Sequence, residues 1–144
     1  MSLARPALAL LLGLLLACSG DTSHLTPEQE SRFATEGIRR RAANVWFRFT
    51  HDAGTRSAGW EDRLASIVVT SQTVLVYKNQ KIGIEITPSS RRFYEVSRDG
   101  ARVRIGAGSG TSREVWSFEP PDDRAGWTDD IRMVIRLSKN VANP

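Results

Sequence analysis

Residues 113–139 read REVWSFEPPDDRAGWTDDIRMVIRLSK, and the change of period inside this stretch decides the fold. Arg113–Glu119 alternates in the manner of a strand, and Pro120-Pro121 ends it. From about Asp122 to Lys139 the apolar residues Trp127, Ile131, Val134 and Ile135 recur at i, i+4, i+7 and i+8, one stripe of a helix. Asp122 and Asp123 stand at its start and Arg136 and Lys139 near its end, as the helix dipole favours. Asn140 to Pro144 is expected to be a frayed tail.

Upstream, the two-residue period persists. Val45, Phe47 and Phe49 share one strand face, with Trp46, Arg48 and Thr50 on the other. His51 to Arg63 is polar, contains two glycines and predicts a long connection. Ile67–Thr70 and Thr73–Tyr77, separated by Ser71-Gln72, predict a tight hairpin. Asn79-Gln80 then turns the chain into Lys81–Thr87, where Ile82, Ile84 and Ile86 alternate, and Pro88 closes it. Arg92–Ser97 and Ala101–Ile105 flank Asp99-Gly100, a strong hairpin signal. Gly106–Thr111 reads as a glycine loop before the last strand. Thr26-Pro27-Glu28-Gln29 is a capping box with proline at the first helical position, and predicts a helix over 26–41 that weakens at Gly37.

Seven short antiparallel strands followed by one amphipathic helix resemble the pleckstrin-homology-like (PH-like) fold. The local matches are Ile67-Val68-Val69-Thr70 with Val74-Leu75-Val76-Tyr77, and Val115-Trp116-Ser117-Phe118 followed by Trp127, Ile131 and Val134. The resemblance implies a mainly β domain over 42–140, a seven-stranded antiparallel barrel closed by a C-terminal α-helix, preceded here by an extra N-terminal helix. A lipocalin-like cup is the other reading of these elements, but it asks for eight longer strands.

The chain begins differently. Arg5 precedes an apolar run from Ala7 to Leu16, about ten residues where a membrane-spanning helix needs about 20. Ala17 and Cys18 follow, and the chain turns polar at once. Leu15-Leu16-Ala17-Cys18 resembles the bacterial lipobox. That resemblance implies that residues 1–17 are a signal peptide and that Cys18 receives diacylglycerol after cleavage before it. It places the protein in the cell envelope, and with Ser19 after the cysteine, at the periplasmic face of the outer membrane if the source is Gram-negative. Residues 18–25 are then the lipidated cysteine and a polar tether, whose roughly seven residues after Cys18 reach at most about 25 Å.

The composition suits a globular domain of 144 residues, with 40% hydrophobic and 25% charged residues. One cysteine excludes an intramolecular disulfide framework. The net charge of +4, with arginine far outnumbering lysine, suits an anionic membrane surface, and secretion argues against nucleic acid.

Catalytic signals are sparse. His51-Asp52 are strand neighbours that point to opposite faces, so the pair is poorly placed for acid–base work. No nucleophile elbow is present. Gly106-Ala107-Gly108-Ser109-Gly110 lies between strands, where a phosphate cradle would need a following helix. Asp122-Asp123 and Asp129-Asp130 lack the spaced oxygen ligands of a calcium loop and suit capping and solvation. No cofactor or metal is implied.

The residues of interest are therefore surface ones. Arg39, Arg40 and Arg41 at the end of the first helix are candidates for contact with lipid headgroups, each contributing about 1 kcal/mol, and as strand-end or helix-end arginines they also read as a solvated rim. Trp46 and Tyr94, expected on outward strand faces, and Trp60, expected in the long loop, are candidates for partner binding, and these rings also read as a cover for the barrel and its helix. The expected function is a non-enzymatic module that binds an envelope protein or peptide. A lipid- or small-ligand-binding barrel is the second reading, and a hydrolase built from scattered carboxylates the third. Oligomeric state has no signal in the sequence.

Overall fold

The computed structural model describes residues 25–53, 56–78, 81–109 and 112–142. Cys18, the expected signal peptide over 1–17 and most of the expected tether over 18–25 lie outside these residues, as does His24. The elements run α1 (Pro27–Glu36), β1 (Ile38–Ala53), β2 (Arg56–Thr70), β3 (Val74–Lys78), β4 (Lys81–Ile86), β5 (Tyr94–Asp99), β6 (Arg102–Ser109), β7 (Ser112–Phe118) and α2 (Arg124–Ala142). The strands form one antiparallel sheet in the order β4-β3-β2-β1-β7-β6-β5, curled into a half-barrel with α2 against it. β4 and β5 are the two ends of that order, so the sheet does not close on itself.

β1 joins the two halves. It pairs with β2 from Ile38↔Thr70 to Ala53↔Arg56, and over its second half also with β7, from Phe47↔Phe118 to Ala53↔Ser112. The inward residues of the sheet meet the stripe of α2 in one core. Phe47, Ile67, Val69, Val74, Ile86, Ile105 and Phe118 pack there with Trp127, Ile131, Val134 and Ile135. Phe47 stacks on Phe118 at 4.8 Å, and Trp127 meets Phe118 edge-on at 5.6 Å. Gly83 lies against the Trp116 ring, where a Cβ would come within 2.6 Å of it.

A second, smaller core lies beneath α1, where Leu25, Phe33, Val68, Leu75 and Tyr77 pack together. Alternation explains it: Val74 and Val76 of β3 face the main core, so Leu75 and Tyr77 face the other side of the sheet. The capping box of α1 forms as its sequence implies, with Gln29 N–H donating to Thr26 Oγ1 at 3.2 Å and Thr26 N–H to Gln29 Oε1 at 2.9 Å.

Four expectations are corrected. The first helix ends at Glu36, not Arg41, because Gly37 takes φ +79° and turns the chain into β1. Arg39–Arg41 are therefore strand residues. The polar stretch 51–63 is mostly strand: β1 continues to Ala53 and β2 starts at Arg56, a long hairpin whose backbone ladder runs from Phe49↔Trp60 to Ala53↔Arg56 without apolar alternation. The glycine loop is shorter than expected, because β6 runs to Ser109 and pairs with β7 down to Ser109↔Ser112. Gly108, at φ +122° and placed so that a Cβ would collide with the Ser112 carbonyl oxygen, is the position there that requires glycine. Finally, Tyr94 is buried rather than outward-facing.

Candidate functional site

The register of β1 slips between Ala42 and Val45, and Asn44 adopts φ +55°, a conformation that asparagine tolerates better than most residues. Beyond this irregularity β7 ends at Phe118, and the chain leaves through Glu119, Pro120 and Pro121. Proline has no N–H, so these residues cannot prolong the ladder to β1. The two segments part, and a cleft of about 810 Å³ opens between Ala42–Trp46 on one side and Arg102, Glu119 and Pro121 on the other.

Trp46 forms one lip. It is 58% exposed and stands opposite Leu64 of β2, itself 36% exposed, so two large apolar side chains meet solvent as a cross-strand pair. The other lip carries the Arg102–Glu119 ion pair at 3.8 Å, both partners exposed. The cleft thus combines an aromatic anchor, small apolar walls and a charged rim. No acid–base constellation lines it.

The other candidate residues are dispersed. Arg40 Nε donates to Asp130 Oδ2 at 2.8 Å and its terminal nitrogen to Asp123 at 3.1 Å. Arg39 pairs with Asp130 at 3.3 Å, and Arg41 with Glu30 at 2.7 Å. The hydrogen bond to Asp130 does most to raise the Arg40 pKa. Asp123 is held below the usual carboxylate range, first by the Gly126 N–H and then by Arg40. The arginine run therefore clamps β1 to both helices and is engaged by carboxylates. The paired aspartates are spent likewise: Asp122 accepts the Trp127 Nε1–H at 2.8 Å, Asp123 caps α2, and Asp129 pairs with Arg132. Among the described residues no group of three His, Cys, Asp or Glu side chains is arranged to hold a metal. His51 Nε2 lies 3.2 Å from Ser112 Oγ in an exposed contact between β1 and β7. Trp60 stands in β2 opposite Phe49, and its side chain lies outside the described residues.

Tyr94 does not join Trp46. It is 5% exposed, and burial pushes its phenol above the ordinary value of about 10, as it does for Tyr77 beneath α1. These are the only two tyrosines of the chain. A folded-state pKa above the unfolded one means that their contribution to stability is complete below about pH 10 and is lost as pH rises through the raised values. Ultraviolet titration of the phenolates should accordingly show no tyrosine ionising in the ordinary range until the fold is lost. A tyrosine titrating near 10 in the folded protein would contradict this burial.

The sequence carries little sign of the cleft beyond Asn44 and the double proline, since the cleft depends on where β1 and β7 stop pairing. In comparison with known proteins, no family model matches this chain and no curated sequence matches it.

Proposed function

We propose that this chain is an envelope lipoprotein, anchored through Cys18, whose described domain is a PH-like, non-enzymatic module that binds another envelope protein or peptide. The observation that carries this reading is Trp46, a large aromatic side chain 58% exposed at the lip of an open cleft. Exposed tryptophan beside a desolvatable groove is the usual anchor of a recognition surface. The open edge of β1 at this point offers main-chain groups to an extended peptide, with Trp46 and the Arg102–Glu119 rim supplying selectivity. The order of elements, seven antiparallel strands and then a helix packed into the curl of the sheet, supports the PH-like assignment.

A photo-crosslinking residue in place of the exposed Ala43, in the full chain expressed in its envelope, tests the reading. A discrete protein adduct is expected, and Trp46→Ala should reduce it on the order of tenfold or more. Equal capture with and without Trp46 would sink the assignment of this cleft. Cys18→Ser should move the protein to the soluble fraction with the domain still folded. Its retention on membranes after a high-salt wash would overturn the lipid anchor.

A further inference from the structure

The position of α1 determines which end of the domain the N-terminal segment leaves. Its C-terminal end is fixed at the β2–β3 turn: the Thr70 hydroxyl donates to the Glu36 carboxylate, the Ser71 hydroxyl to the Glu36 carbonyl, and the Ser71 N–H to the Gly37 carbonyl at 3.2 Å. Its first turn lies at the other end of β3, where Glu30 binds Arg41, Arg41 lies beside Tyr77, and Leu25 shares a cluster with Tyr77. A ten-residue helix spans about 15 Å, close to the length of five-residue β3. Leu25 therefore lies beside Tyr77, next to the point where β3 gives way to β4.

That end of the β3–β4 hairpin has a distinct surface. Lys78 and Lys81 pair with each other across the strands and are both exposed. Among the described residues neither is engaged in an ion pair, whereas the nearby acids Glu30 and Glu85 are bound by Arg41 and Arg32, leaving Glu28 as the exposed acid of the first turn. Next to Lys81 stands Ile82, 53% exposed. Lys78 and Lys81 share one face of the hairpin end and Ile82, opposite Tyr77, lies on the other, so a bilayer met end-on by the hairpin takes the ammonium groups among its headgroups and the aliphatic side chain at the boundary with the acyl chains.

We propose that the Lys78–Lys81–Ile82 corner is the face with which the tethered domain rests on an anionic bilayer surface. This rests on the reading of Cys18 as the lipid-bearing residue. A tether of about seven residues keeps Leu25 within about 25 Å of the headgroups, so the surface beside Leu25 is the one presented to them.

The test uses the full acylated chain carrying Ile82→Cys labelled with a polarity-sensitive dye, incorporated in phosphatidylcholine vesicles with or without phosphatidylglycerol. Acylated Cys18 has no free thiol, so the dye reports position 82 alone. The emission should shift to the blue with phosphatidylglycerol and stay unshifted in phosphatidylcholine alone. Lys78→Gln with Lys81→Gln should shift the docked-to-undocked ratio roughly 25-fold towards the undocked form, at about fivefold per lysine. Protein that floats with the vesicles but shows no phosphatidylglycerol-dependent shift would overturn the docking while leaving the anchor intact. Protein that fails to float and retains a free Cys18 thiol would overturn the anchor, and the docking with it.

Discussion

Trp127→Ala is expected to destabilise the domain by about 3–5 kcal/mol and to lower its melting temperature by roughly 10–20 °C. Trp127 is 1% exposed and lies where α2 enters the curl of the sheet. Its ring meets Phe118 edge-on, and Phe118 in turn stacks on Phe47 at the position where β1 begins to pair with β7. Alanine would leave a void the size of an indole between two elements already held by other contacts, so the site has little room to collapse. It would also leave Asp122 without the indole N–H. Trp127→Phe keeps most of the apolar volume and removes that hydrogen bond, and should cost less than half as much. Urea titrations of the two variants followed by circular dichroism make the comparison. A loss under about 1 kcal/mol for the alanine variant would mean that α2 is not anchored in the half-barrel through this ring.

Phe33→Ala should cost about 3 kcal/mol, but with a different signature. Phe33 is wholly buried, in the small core that the sheet separates from the main one. A ten-residue helix is marginal alone, so α1 depends on this core and on its clamp at Thr70–Ser71. Loss of the Phe33 ring should release α1 while β1–β7 and α2 keep their packing. Hydrogen exchange is the discriminating measurement: protection should fall over 27–36 before it falls in β3 or β6. Uniform loss across the chain would show that the two cores unfold as one.

What was legible in the sequence followed from periodicity and from turn chemistry. The alternation of Val45, Phe47 and Phe49, the run Val74–Tyr77, Ile84 and Ile86 of β4 and the Trp127 stripe sit on faces that pack, and with the Asp99-Gly100 turn each found its element; Ile82 did not join Ile84 and Ile86, because a register shift between Val76 and Tyr77 leaves it 53% exposed. What escaped was set by contacts distant in sequence. Nothing local separates Arg39–Arg41 as a helix end from the same residues as a strand until Gly37 takes a positive φ and Asp130 arrives from the far end of the chain. The polar stretch 51–63 extends as strand because β2 and β7 offer β1 partners on both edges, which the composition of that stretch does not reveal. Tyr94 resembled Trp46 in isolation, yet only one of the two meets solvent, because Tyr94 opens β5 on the core side opposite Ala107. The cleft itself is a property of two strand ends, and neither strand carries it alone.

The shared strand β1 also has a kinetic consequence. Each hairpin from β1 to β4 and from β5 to β7 joins neighbours in the chain, but the seam that unites the two groups pairs Phe47 with Phe118, 71 positions later (118 − 47). Closing so long a loop is entropically costly until β7 is present, so the seam should form late, and α2, which needs both halves beneath it, later still. A chain delivered N-terminus first through a narrow channel would present β1 to the far side with one edge unsatisfied. It would hold the domain in an open, extendable state until its last strand and helix had crossed, and the order of the strands would then act as a timer for folding during passage.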